Sequence, residues 1–191
     1  MDILLQADQQ EYDFLVACLN NERWAQKKLY ETYYSTLIVV AQRYANNDED
    51  ALDILHEGFI KIFKSLHKFT IGTSLQAWMR TVLVNTAIDY YRKEIRRKTE
   101  QIEKATSLTN NTEDVISALS GEEILASLQQ IPASYRSIFN LYVIEGYSHR
   151  EIAQILNITE STSRSNLVKA RTKLRDILQT KYNLTGINDR F

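Results

Sequence analysis

Turn formers are scarce in this chain: 191 residues hold one proline and five glycines. With so few breakers and no clear period-two runs, a β-rich architecture is excluded and an all-α protein is predicted. There is one cysteine, Cys18, so no internal disulfide can form. It sits in the apolar stretch Phe14–Leu19 and reads as a small buried hydrophobe, and a lone thiol fits a reducing compartment. The three histidines, His56, His67 and His149, lack metal-ligand spacing such as His-Glu-x-x-His. No phosphate loop, nucleophile motif or catalytic carboxylate pair is present. These absences predict a non-enzyme without cofactor, metal or small-molecule substrate. The best apolar run, Leu37–Ala41, is too short to span a bilayer, and no basic-then-apolar leader opens the chain. A cytoplasmic protein without membrane insertion is expected. The net charge of -1 shows no excess of either sign, so the sum alone predicts no nucleic-acid partner.

What is present is helical periodicity. Helices are predicted at roughly 10–20, 22–45, 50–67, 74–97, 113–118, 121–130, 133–145, 149–156 and 160–180. Thr73 with Gln76, Ser120 with Glu123, and Ser148 with Glu151 have capping-box spacing. Leu75, Trp78, Met79, Val82 and Thr86 form an inward stripe on the fourth helix. Pro132 suits a first helical turn, where its missing N–H has no partner. From Thr99 to Thr112 the pattern collapses into polar residues with little to bury, which reads as a flexible linker. The predicted organisation is two helical domains, 1–98 and 120–191, joined by a linker over 99–119.

Charge is segregated although it nearly sums to zero. Asn46–Glu57 carries Asp48, Glu49, Asp50, Asp53 and Glu57 and no Lys or Arg. Arg92–Lys98 carries five bases against Glu94, and Ser161–Arg175 carries Arg164, Lys169, Arg171, Lys173 and Arg175 with no acid. A solvated face is the plain alternative for each run. Two basic helices together point to a polyanion, and the acidic one to a protein.

The segment Tyr147–Thr162 has helix-turn-helix logic. Ser148 caps a short helix with Ile152, Ile155 and Leu156 inward. Asn157 can take the left-handed conformation that ends it, and Thr159 can cap the next helix. On that second helix Leu167, Ala170, Leu174 and Leu178 point inward. Ser161, Ser165, Val168, Lys169 and Thr172 face away, with Arg164, Arg171 and Arg175 on a flank. Small polar residues permit close approach to a major groove, and Arg and Lys reach bases and phosphates. On the fourth helix Asn85, Asp89, Arg92 and Arg96 share one face. A plain Asp89–Lys93 salt bridge is the alternative there. The preceding Lys68–Thr73 loop offers Phe69 as a stacking platform for unpaired bases.

These stretches resemble the sigma-70 family, in its extracytoplasmic-function (ECF) form. Asp50–Phe59 resembles the core-binding motif of region 2. Leu75–Arg80, running through Asn85, Asp89, Arg92 and Lys93, resembles the promoter-melting helix. Ile131–Arg136, Glu145–Ser148, Thr162–Ser165 and Lys169–Arg171 resemble region 4. His56 stands where glutamine is usual and Asn157 where glycine is usual. The resemblance implies that Asp50, Asp53, His56 and Glu57 bind core RNA polymerase. It implies that Lys68, Phe69, Thr73, Ser74, Asn85, Asp89, Arg92, Lys93 and Arg96 serve the minus-ten element of promoter DNA. Ser161, Thr162, Arg164, Ser165, Val168, Lys169 and Arg171 would serve the minus-35 element. An anti-sigma factor is the implied regulator. The alternative is a helix-turn-helix regulator binding duplex DNA as a homodimer, which leaves the acidic helix without a role.

Overall fold

A computed structural model describes residues 2–101 and 121–182, with side chains over 10–95 and 125–180. The described residues are helical and include no strand, as composition predicts. The helices are α1 (Asp2–Leu19), α2 (Arg23–Tyr44), α3 (Asp48–Ser65), α4 (Leu75–Gln101), α5 (Gly121–Gln130), α6 (Ala133–Phe139), α7 (His149–Leu156) and α8 (Glu160–Tyr182). A 3-10 turn, Leu66–Lys68, follows α3, and a π turn, Asn140–Ile144, continues α6. The expected helix over 113–118 and the Ser120 cap lie outside the described residues. So does most of the expected linker, although α4 runs on through Thr99, Glu100 and Gln101.

Two compact units form. The first comprises Met1–Ala41 and Asp48–Ala87, the second Gln42–Asn47 and Ile88–Phe191. In the first, the acids Asp48, Glu49 and Asp50 open α3 where the helix dipole favours negative charge. Its buried residues Ala51, Ile54, Leu55, Gly58, Phe59 and Ile62 follow helical spacing. Gly58 lets α3 approach α4 closely, since a Cβ there would run into the Leu83 side chain. Cys18 is buried as expected, and burial, then Glu22, raises its thiol pKa. Trp78 is only half-buried.

The start of α4 differs from expectation. Ser74, not Thr73, caps it, its Oγ accepting from the Ala77 N–H at 3.2 Å. The Thr73 hydroxyl donates instead to the Thr70 carbonyl at 2.7 Å, in a turn where Gly72 has φ +86°. The loop thus occupies the threonine and moves the cap by one residue.

In the second unit α8 packs against α5, α6 and α7. Leu128, Ile131, Ile138, Phe139, Leu141, Ile152, Leu167, Ala170, Leu174 and Leu178 are buried. Pro132 precedes α6 at the cap position rather than in the first turn, its carbonyl accepting from Tyr135 and Arg136. Arg136 is 1% exposed. It donates to the carbonyls of Gln129 (3.2 Å) and Tyr44 (3.3 Å) and to Asn46 Oδ1 (2.8 Å). The Asn140 amide donates to the Arg43 carbonyl at 2.7 Å.

Candidate nucleic-acid interface

The helix-turn-helix is built as its capping residues dictate. Ser148 N–H donates to Glu151 Oε2 at 2.8 Å, and Glu151 N–H returns a bond to Ser148 Oγ at 3.3 Å. The Ser148 hydroxyl also donates to Glu151 Oε2 at 2.6 Å, and this bond, then the one from the Ser148 N–H, lowers the Glu151 pKa. α7 ends at Asn157, which is left-handed at φ 53° and ψ 50°. Asparagine tolerates this conformation because its short polar side chain can bond locally. Thr159 then caps α8, accepting from the Thr162 N–H at 3.0 Å.

On α8, Ser161, Arg164, Ser165 and Val168 are exposed, and Thr162, Lys169 and Arg171 are half-buried. Arg164 pairs with Glu160 at 3.3 Å, and Lys169 Nζ lies 5.9 Å above the Tyr135 ring. Thr172, expected to face away, is buried. Three neighbouring helices cover a wider arc of α8 than the single stripe that the apolar spacing defines.

The residues before and along α4 are distributed as follows. Lys68, Thr73, Ser74 and Asn85 are exposed. Phe69 is half-buried, its ring 5.7 Å from that of Trp78 and tilted 58° to it. Asp89 pairs with Arg92 at 3.4 Å. Arg92 also donates to the Ile155 carbonyl, from Nε at 2.7 Å and from a terminal nitrogen. Lys93 is exposed, and the side chain of Arg96 lies outside the described residues.

On α3, Asp53 and His56 are exposed and Asp50 and Glu57 half-buried. Glu57 pairs with Lys61 at 3.4 Å, and His56 Nε2 lies 3.3 Å from the Tyr30 hydroxyl. Two members of this face escape sequence reasoning: Leu52 is 36% and Ile60 53% exposed. Together with His56 they step by four, so an apolar stripe runs beside the acids. Their exposure leaves no mark in an apolar pattern. The buried Arg136 escapes it too, as does His149, which follows the Ser148 cap.

A capped helix-turn-helix whose second helix presents small polar and basic residues defines a DNA-binding module. The relatives agree. Residues 29–97 match the family described as sigma-70 region 2, and residues 121–174 match sigma-70, region 4. RNA polymerase sigma factor SigV of Bacillus subtilis is 30% identical over 146 residues, covering 76% of this chain and 86% of that protein. ECF RNA polymerase sigma factor SigM of Mycobacterium tuberculosis is 24% identical over 183 residues, covering 96% and 91%. The solved sigma factor RpoE of Bartonella quintana, in complex with the anti-sigma factor NepR, superposes with a TM-score of 0.47 at 21% identity. It covers 80% of this chain and 96% of that one. The chain belongs to the sigma-70 family, in its ECF group. Among the described residues no helix is long and apolar enough to cross a membrane.

Proposed function

We propose that this chain binds core RNA polymerase in the cytoplasm and directs it to a particular set of promoters, as an initiation factor and not an enzyme. In this reading residues 1–98 bind core and the minus-ten element, 99–119 link, and 120–191 read the minus-35 element. Asp50, Asp53, His56 and Glu57 face polymerase. Lys68, Phe69, Thr73, Ser74, Asn85, Asp89, Arg92, Lys93 and Arg96 serve the melted minus-ten strand. Ser161, Thr162, Arg164, Ser165, Val168, Lys169 and Arg171 enter the upstream duplex. An anti-sigma factor controls the protein, on the strength of its family.

The observation that carries this reading is the exposed Ser161–Arg164–Ser165–Val168 face of α8, beyond a left-handed Asn157 turn, in a chain matched by both sigma regions. The test is transcription by core polymerase from a pool of random promoters. With the wild-type chain, selected promoters share an upstream and a minus-ten element. Arg164→Ala costs about 1–3 kcal/mol at the preferred promoter and relaxes one or two upstream base pairs. Unselective transcription would overturn the function. An unchanged upstream preference in the variant would remove α8 from the minus-35 role.

A further inference from the structure

One group in the helix-turn-helix has no role in the reading above. His149 opens α7, and its ring stacks on Tyr142 with centroids 4.4 Å apart and planes 22° from parallel. Its Nδ1 lies 2.9 Å from the Oγ of Ser163, a residue of α8 with no exposed surface. One imidazole therefore joins the π turn, α7 and α8. Its Nε2 has no hydrogen-bond partner among the described residues.

We propose that His149 is a further DNA-binding group of this module, taking up a proton as the negatively charged promoter settles against α7 and α8, so that promoter affinity rises as the pH falls. The proposal rests on the reading of α8 as the minus-35 helix.

The geometry allows the charge to change without moving the ring. Neutral imidazole accepts at Nδ1 from the Ser163 hydroxyl. Imidazolium donates from Nδ1 to the same oxygen, and only the hydroxyl rotates. The charged and titratable neighbours come from every packed element. They are Glu160, Arg164 and Arg171 on α8, Arg150 and Glu151 on α7, and the Tyr142 phenol on the π turn. Without DNA, burial and then Arg164 hold the ring below its ordinary pKa of 6.5; Glu160 opposes them and Arg171 adds to them. A phosphodiester offsets both guanidiniums and attracts a third positive charge, so the pKa is higher in the complex. A base whose pKa rises on binding takes up a proton on binding. Affinity is then greatest at low pH and falls as the pH rises through the value in the complex.

The experiment uses holoenzyme reconstituted with the full chain and a promoter it selects from a random pool. Dissociation constants are measured between about pH 6 and pH 8. The comparison is with His149→Asn, whose amide can keep the Ser163 bond but cannot titrate. The ratio of variant to wild-type Kd should rise by about 3–10-fold from the alkaline to the acid end, tenfold being one unit of pKa. His149→Gln gives the same ratio by a second route should the first variant fail to form holoenzyme. A ratio that stays flat across the pH range, while both proteins keep the upstream preference, overturns the proposal and leaves the role of α8 standing. If the wild type shows no upstream preference at any pH, the reading of α8 falls and this proposal falls with it.

Discussion

Asp53 is exposed on α3, beside the stripe formed by Leu52, His56 and Ile60. Such a mixture suits a protein partner: apolar area supplies the attraction and charge sets register and encounter. Asp53→Lys should abolish capture of core polymerase. Its unfolding free energy should shift by no more than about 0.5 kcal/mol, because an exposed charge has little to lose on substitution. Pull-down with core, beside circular dichroism, checks both halves; unchanged capture removes α3 from the polymerase interface. Tyr91 is the opposite kind of residue. Burial pushes its phenol up to about 12, with Arg136 pulling it partway back. The unfolded phenol ionises near its ordinary value of 10. Between those values the unfolded chain releases a proton that the folded one keeps, so stability falls as the pH rises. Tyr91→Phe should flatten that alkaline limb in denaturant melts at pH 9 to 11, numbers that bracket the ordinary phenol value of about 10.

At the scale of elements, the capping box of α7 sets the helix-turn-helix. Ser148→Ala removes the oxygen that accepts from Glu151 N–H and should cost about 1 kcal/mol in chemical denaturation. A cost near zero would mean that packing alone fixes the start of α7. The same chemistry explains which elements are legible in the sequence. A cap is a local event at fixed spacing, so Ser148, Asn157 and Thr159 mark both ends of the turn through their residue types alone. The start of α4 shifts by one from its expected place because Thr73 and Ser74 can both cap. A loop that engages the threonine hydroxyl decides between them. The π turn at Asn140–Ile144 is indistinguishable from continuous helix in sequence, since one widened turn barely alters an apolar period. The exposed face of α8 follows from spacing at Ser161, Arg164, Ser165 and Val168. Spacing fails at Thr172, where burial depends on how many helices surround α8. Arg136 is illegible as a buried residue, because only the carbonyls collected around it make burial of a guanidinium tolerable.

Across the whole molecule a net charge of -1 is compatible with binding to a polyanion because the acidic run of α3 and the basic run of α8 lie on different helices. Four of the five acids of α3 lie in its first half, while Ser161–Arg175 of α8 holds five bases and no acid. The sum therefore sets solubility, and the local runs set the partners. Within α8 the bases should divide by task. Arg164 is exposed near the helix start, and in the proposed reading it meets base edges. Lys173 lies more than two turns further along and is exposed, where a phosphate is the natural contact. Each phosphate neutralised releases close to one counterion, so Lys173→Ala should lower the salt slope of promoter binding by about 1. It should weaken all promoters of a library to a similar degree and leave the preferred sequence unchanged. Filter binding of holoenzyme over a salt series, with sequencing of the bound pool, reads both quantities. A slope that stays the same while the upstream preference changes would place Lys173 against a base instead, and the division of labour along α8 would have to be reversed.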